Sequence, residues 1–321
     1  MRRLPFLLIA AATAATAAPP PQKPDAPAVP PPAPAPAPPG EVFTLGQTTD
    51  RMTVPVGVAG QGPFPFIIDT GAERSVVSRE LAERLKLDPG ADAKVFDFAG
   101  SSTVETAKVP LLSAGKIETG AIEAPMLMAA NIGAPGMLGI DALQGRKIIL
   151  DFDRKQMTLV PAKRHAGGDI IVRAQSRTGQ LIVTKASFEG KPIAVIIDTG
   201  SWLSIGNSAM RALARQRPRN YGPVEVKSVT GRSFEADYVA VNDVRIGDIR
   251  IDQFNLSFAD VPPFARFGLR DTPALILGMS SLQLFRRVEI DFVNREVAFT
   301  LPRPKPNFHD TCRGFSLCKQ L

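Results

Sequence analysis

The chain repeats itself, and that repeat restricts its fold more than any other feature. An apolar run ends in Asp-Thr-Gly within "FPFIIDTGAERSVVS", residues 64–78, and the device returns in "IAVIIDTGSWLSIGN", residues 193–207. Other landmarks recur in the same order. Gly62 answers Gly190, "MLGIDAL" at 137–143 answers "ILGMSSL" at 276–282, and Asp151 in "ILDFDRKQMTLV" answers Asp291 in "EIDFVNREVAFT". Landmarks that keep their order and nearly their spacing indicate a duplicated unit. Two such units must each supply one Asp-Thr-Gly turn, and the matching surroundings suggest that the two aspartates meet.

Each copy reads as mostly strand. "MTVPVGV" and "QLIVTKASF" are rich in β-branched residues with partial alternation. "FPFII" and "IAVII" are continuous apolar runs, as expected of strands buried on both faces. "IILDFDRKQMTLV" predicts two strands with a turn near Asp153-Arg154-Lys155, and "EIDFVNREVAFT" predicts the same around Asn294. Helices are few. Ser78 can cap "RELAERLKL", with Leu81 and Leu85 at i,i+4, and Asn207 can cap "SAMRALARQR". Short helical turns are expected after Gly139 and Gly278.

The ends of the chain read differently. Arg2 and Arg3, an apolar run from Leu4 to Ala18 and the small residues Ala15-Thr16-Ala17 make residues 1–18 a signal peptide. The run is too short and alanine-rich to span a bilayer comfortably. This predicts export, to the periplasm or cell envelope, with no membrane span after cleavage. The residues around the Arg pair fit twin-arginine export poorly, and no cysteine follows to take a lipid. Residues 19–40 hold 12 of the chain's 30 prolines and form an extended spacer unable to pack a core. The folded copies are then 41–162 and 163–302, with a tail at 303–321. Only Cys312 and Cys318 are available for a disulfide. In an oxidising compartment they close a short loop, or they are two idle thiols. Two cysteines and His309 fall short of a four-ligand zinc site, so no metal is expected. The net charge of +7 is spread without a basic block, which argues against nucleic acid as a partner.

Asp-Thr-Gly at the end of a buried strand holds a carboxylate on a rigid support, and the glycine allows the sharp turn that follows. Two such carboxylates a few ångströms apart do not both ionise readily and share one proton. One then acts as base on a water, and its protonated partner acts as acid. That chemistry needs neither cofactor nor covalent nucleophile. No phosphate-cradling loop or dinucleotide fingerprint is present. His165 and His309 lie away from any nucleophile motif and read as surface residues.

"FIIDTGA" and "VIIDTGS", each followed by an apolar-apolar-Gly motif (Met137-Leu138-Gly139 and Ile276-Leu277-Gly278), resemble the aspartic proteases of the pepsin and retropepsin clan. The resemblance covers residues 41 to 302. It implies an all-β, bilobed acid-protease fold with few short helices, built from two retropepsin-like lobes related by pseudo-twofold symmetry. Unlike a retroviral enzyme, both halves lie in one chain. The implied catalytic dyad is Asp69 and Asp198, braced by the psi-loop glycines Gly139 and Gly278. Thr70 and Thr199 would bridge the two loops, and Gly71 and Gly200 would permit the turns. Ala72 and Ser201 follow; a serine there can hold the carboxylate, or both can simply be small residues that pack. The implied activity is hydrolysis of a protein or peptide bound in extended form, by a monomer.

Two further classes stay open. The fold can persist as an inactive peptide-binding module, or each Asp-Thr-Gly can pair with another chain, which the duplication disfavours. Gly100-Ser101-Ser102-Thr103 and Thr230-Gly231-Arg232-Ser233 read as matching hairpin tips that either cover the cleft as flaps or are ordinary surface turns. Unlike pepsins, no tyrosine lies near the first; Tyr221 and Tyr238 are both in the second copy. Trp202 either lines a pocket or belongs to the core or rim.

Overall fold

Both apolar runs that lead into Asp-Thr-Gly form strands, Gln61–Ile68 and Ala194–Ile197, and their last residues are almost wholly buried. The computed structural model describes residues 41–44, 46–48, 51–115, 117–143, 145–161, 167–177 and 179–303. The signal and spacer assigned to 1–40, both histidines, and Cys312 and Cys318 lie outside the described residues. Within them the chain is mainly β, with six short helices. None of these helices is long and apolar enough to cross a membrane.

The two copies build the same core in the same order. In the first, Gln61–Ile68 pairs parallel with Gly136–Leu138, which pairs antiparallel with Val76–Ser78, which pairs parallel with Ile122–Leu127. In the second, Ala194–Ile197 pairs parallel with Ala274–Leu277, then antiparallel with Ile205–Gly206, then parallel with Phe254–Phe258. Strands covered on both faces do not alternate in polarity, and the last three residues of each run, Phe66 to Ile68 and Val195 to Ile197, are buried without a break. "QLIVTKASF" is not one strand. It divides into Gln180–Val183 and Ala186–Phe188, which enter different sheets.

A six-stranded antiparallel layer joins the copies, in the order Glu41–Thr44, Gln156–Pro161, Arg146–Asp151, Arg287–Asp291, Glu296–Thr300, Ile170–Arg177. Its central pairing, Ile148 opposite Ile290, joins a strand of one copy to a strand of the other. Buried Lys147 stands between Glu289 and Asp291, 3.5 Å from each, and Arg287 lies 2.7 Å from Glu289. Both hairpins turn where expected. Asp151 and Asp291 accept the backbone N–H of Arg154 and Asn294, and Lys155 and Arg295 take positive φ at equivalent places.

The caps form as read. Ser78 Oγ accepts from Leu81 N–H at 3.0 Å and starts Arg79–Leu85. Asn207 Oδ1 accepts from Met210 N–H at 2.9 Å. The second helix is shorter than its sequence suggests, spanning only Ser208–Arg211. Beyond it, Leu213 and Ala214 bond back three residues rather than four, which tightens the last turn as the chain approaches Pro218 and the strand Arg219–Lys227. Helical turns do follow both glycines, at Ile140–Leu143 and Met279–Leu282.

Candidate active site

The elements described above bring the two Asp-Thr-Gly turns face to face. Asp69 N–H donates to the Leu138 carbonyl at 2.9 Å, and Asp198 N–H to the Leu277 carbonyl at 3.1 Å. Each aspartate is thus tied to the residue just before its psi-loop glycine. Those glycines are needed for close backbone crossings. A methyl group on Gly139 would lie 2.5 Å from the Arg74 carbonyl carbon, and one on Gly278 would lie 2.5 Å from the Leu203 carbonyl oxygen.

The threonines interlock. Thr70 Oγ1 donates to the Ile197 carbonyl (2.9 Å) and accepts from Thr199 N–H (3.1 Å). Thr199 Oγ1 donates to the Ile68 carbonyl (2.8 Å) and accepts from Thr70 N–H (3.1 Å). Each hydroxyl satisfies two buried backbone groups of the other copy or its turn, and the exchange is reciprocal. Every one of these groups would otherwise be stranded away from water.

Each carboxylate faces the opposite turn. A methyl on Gly71 would sit 2.7 Å from Asp198 Oδ1, and one on Gly200 would strike the Asp69 carboxylate. Asp69 Oδ1 accepts from Gly71 N–H (2.8 Å) and Ala72 N–H (3.0 Å); Asp198 Oδ1 accepts from Gly200 N–H (2.9 Å). Both aspartates are under a tenth exposed and open onto one cleft of about 540 Å³. The arrangement can hold two carboxylates against a single small molecule or bond. Ser201 does not use its proton on the carboxylate; its Oγ donates to the Leu203 carbonyl at 2.7 Å. Trp202 does both things expected of it, lining the cleft and packing against the core.

Two hairpins cover the cleft, Ala93–Asp97 with Gly100–Val104 and Arg219–Lys227 with Ser233–Val241. In the first, Gly100 and Ser101 are not at the tip. The turn is Phe98-Ala99, because the Asp97 carboxylate accepts from Ala99 N–H (2.8 Å) and Gly100 at φ +135° starts the returning strand. In the second, Gly231 and Arg232 do lie in the turn. The tips touch. Asp97 pairs with Arg232 at 3.5 Å and accepts a hydrogen bond from Thr230 Oγ1. Tyr221 and Tyr238 stack with ring centres 5.9 Å apart near the far end of the second hairpin.

Sequence reasoning passed over several residues here. Ser75 Oγ accepts from Gly139 N–H and Ser204 Oγ accepts from Gly278 N–H, both at 3.0 Å. Each lies six residues after its aspartate, so aligning the copies residue by residue would have found them. Ser75 donates in turn to Asp141 (2.7 Å), while Ser204 shares a hydrogen bond with Ser281 (2.7 Å). Gln180 Nε2 donates to the Gly71 carbonyl. Arg266 clamps Glu73 at 2.9 and 2.6 Å, and this hydrogen-bonded carboxylate raises the guanidinium's pKa further above its usual value. No local pattern marks those last two contacts.

Comparison with known families gives two matches in tandem. Residues 54–145 match a family described as "gag-polyprotein putative aspartyl protease", and residues 184–281 match one described as "aspartyl protease". The first span holds Asp69 and Gly139, the second Asp198 and Gly278. All six strands of the joining layer fall outside both spans. No curated protein matches the chain. With both copies matched and together covering more than half of its length, the chain belongs to the retropepsin-like, two-lobed aspartyl proteases.

Proposed function

We propose that this chain is an aspartic endopeptidase in which Asp69 and Asp198 share one proton and hydrolyse a peptide bond. The ionised carboxylate takes a proton from water as the oxygen attacks the peptide carbonyl carbon. The protonated partner hydrogen-bonds the carbonyl oxygen as negative charge gathers there. The tetrahedral intermediate then collapses, and the nitrogen leaves with a proton from the dyad. What carries the reading is the reciprocal threonine exchange with each glycine set against the opposite carboxylate. An extended peptide would lie between the hairpins and the dyad, adding main-chain hydrogen bonds in the manner of an extra strand. The same reading takes the chain as exported, with 41–162 and 163–302 as lobes of one monomer.

A second reading is a peptide-binding module without turnover. The hairpin tips already meet over the cleft, which favours it. Cleavage of a diverse peptide library from pH 4 to 7, beside the Asp69→Asn and Asp198→Asn variants and with pepstatin, separates the two. The protease reading expects cleavage that strengthens toward mildly acidic pH and is nearly abolished in either variant. Full activity in either variant would sink the shared dyad. Binding by folded wild type with no cleavage would favour the module.

A further inference from the structure

A second concavity, of about 180 Å³, opens at the base of the second hairpin, away from the cleft. Arg217, Arg219 and Tyr221 line it. The strand Arg219–Lys227 leads from there to the cleft, which Val226 lines. Seven positions of strand separate Arg219 from Val226, roughly 20 Å. Pockets for drug-sized ligands measure about 300–1,000 Å³, so this one has room for a single side chain.

Its charge is arranged for an anion. Among the described residues, neither Arg217 nor Arg219 has a carboxylate partner. The Arg219 guanidinium lies over the Tyr221 ring at 5.1 Å, and Tyr238 stacks on the same ring. A guanidinium stacked in this way still offers its fork of N–H donors. Glu189, on the rim, accepts from Arg215 N–H at 2.7 Å. Asp243, next in the chain to Asn242, is already paired with Arg245 at 2.9 Å and Arg250 at 3.4 Å. Two arginines against Glu189 leave one positive charge over. Asn242 Oδ1 accepts from Gln253 N–H at 2.9 Å, which leaves its NH2 as a donor on the rim. The first copy lacks this chemistry. Its counterpart strand, Asp88–Pro89, sets Asp88 opposite Lys108 where the second copy sets Arg219 opposite Ala240. Ala59 stands in the place of Glu189, each making the same backbone bond before its glycine. The shared fold therefore does not require the arginines.

We propose that this pocket docks an acidic side chain, Asp or Glu, of a protein that the chain binds, at a site separate from the cleft. A planar carboxylate matches the guanidinium fork of Arg219, and Arg217 adds a second set of charged donors. One carboxylate also neutralises the one charge left over. A partner held here and in the cleft has to span roughly 20 Å, about six or seven extended residues. Each contact then raises the effective concentration of the partner at the other. The docking does not depend on whether the partner is cut.

Tyr221 and Tyr238 are the chain's only tyrosines and stack together at this pocket, so the ring NMR signals of tyrosine-labelled protein report its occupancy. The protein is titrated with N-acetyl-Glu-amide, N-acetyl-Gln-amide and inorganic phosphate. The Glu probe is expected to shift the tyrosine signals to saturation. The Gln probe has nearly the same shape without the charge and is expected to leave them in place. Arg217→Gln and Arg219→Gln are each expected to weaken the Glu probe roughly tenfold or more, the loss of one charged hydrogen-bonding partner. Both arginines are exposed, so neither substitution disturbs the core. Arg154→Gln, at an exposed arginine in a turn of the first copy, is expected to change nothing. No shift with the Glu probe, equal binding of the Glu and Gln probes, or equal weakening by Arg154→Gln would overturn the proposal. Phosphate binding more tightly than the Glu probe would overturn the acidic side chain in favour of a free anion. Cleavage enters none of these readouts, so the docking site stands or falls apart from the protease reading.

Discussion

Removing one hydroxyl, in Thr70→Ala, tests whether the threonine exchange holds the two copies together. The substitution strands the Ile197 carbonyl, which loses its donor at 2.9 Å, and Thr199 N–H, which loses its acceptor at 3.1 Å. Both sites are buried. A buried backbone group left without a partner costs about 1–3 kcal/mol, so two cost roughly 2–6 kcal/mol. Against a typical total of about 5–15 kcal/mol that is a large share. At a urea slope of about 1–3 kcal/mol per molar, the unfolding midpoint should fall by roughly 1 M or more. Thr199→Ala strands the mirror pair, the Ile68 carbonyl and Thr70 N–H, and should cost about the same. Thr70→Ser keeps the hydroxyl and should recover most of the loss. In the peptide assay, Thr70→Ala should also lower kcat by roughly a hundredfold, since small displacements of reacting groups cost that much. A Thr70→Ala midpoint within error of wild type, or no recovery in Thr70→Ser, would refute the reasoning.

Two other perturbations have defined outcomes. Lys147→Met leaves Glu289 and Asp291 buried without the cation between them and should destabilise by about 3–5 kcal/mol, read from thermal or urea unfolding. Asp260 accepts from Ser208 Oγ at 2.5 Å and Ser208 N–H at 2.8 Å, and these bonds, the hydroxyl's first, hold its carboxyl below the ordinary carboxylate range. A depressed pKa stabilises the fold above the unfolded value and ceases to do so as pH falls through the folded one. The midpoint gap between wild type and Asp260→Asn should therefore be full near neutrality and close below about pH 4. It should stay under about 1 kcal/mol, because the carboxylate is exposed and screened.

What could be read from the sequence was whatever the duplication printed twice. The strands entering Asp69 and Asp198, the glycines at 139 and 278, the caps at Ser78 and Asn207 and the turns near Lys155 and Arg295 all rest on local chemistry that recurs in both halves. Features that depend on one copy meeting the other were not legible. Lys147 reads as an ordinary basic residue in a strand until the pairing sets it opposite Asp291. The first hairpin tip was misplaced for a smaller reason. Gly100-Ser101-Ser102-Thr103 has turn composition, but the Asp97 side chain bonds Ala99 N–H and closes the turn earlier. The helix after Asn207 was overestimated because "SAMRALARQR" has good propensity along its whole length. The strand that begins at Arg219 overrides it.

The places where the copies differ bear on the assembly. The dyad, the threonines, their glycines and the supporting serines are the same in both. The centre of the joining layer is not. There Ile149 pairs with Glu289, and Lys147 and Asp151 pair with Asp291 and Arg287. A symmetric dimer of second copies, joined in the same register, would set Glu289 opposite its own counterpart, with Arg287 in the place of Lys147 opposite Asp291. Like charges directly opposite across strands repel, and burial strengthens the repulsion. The charge on Glu289 therefore suits a chain in which the first copy supplies the partner strand. Ile149→Glu sets two carboxylates directly opposite each other at this position in the intact protein, with Lys147 and Arg287 still beside Glu289. It should cost roughly 2–4 kcal/mol at neutral pH, part of which returns on acidification as the added carboxyl takes a proton. Ile149→Gln has nearly the same shape without the charge and should cost less, with little dependence on pH. Equal costs for the Glu and Gln variants at every pH would mean that charge at this position does not discriminate between a fused pair and a dimer.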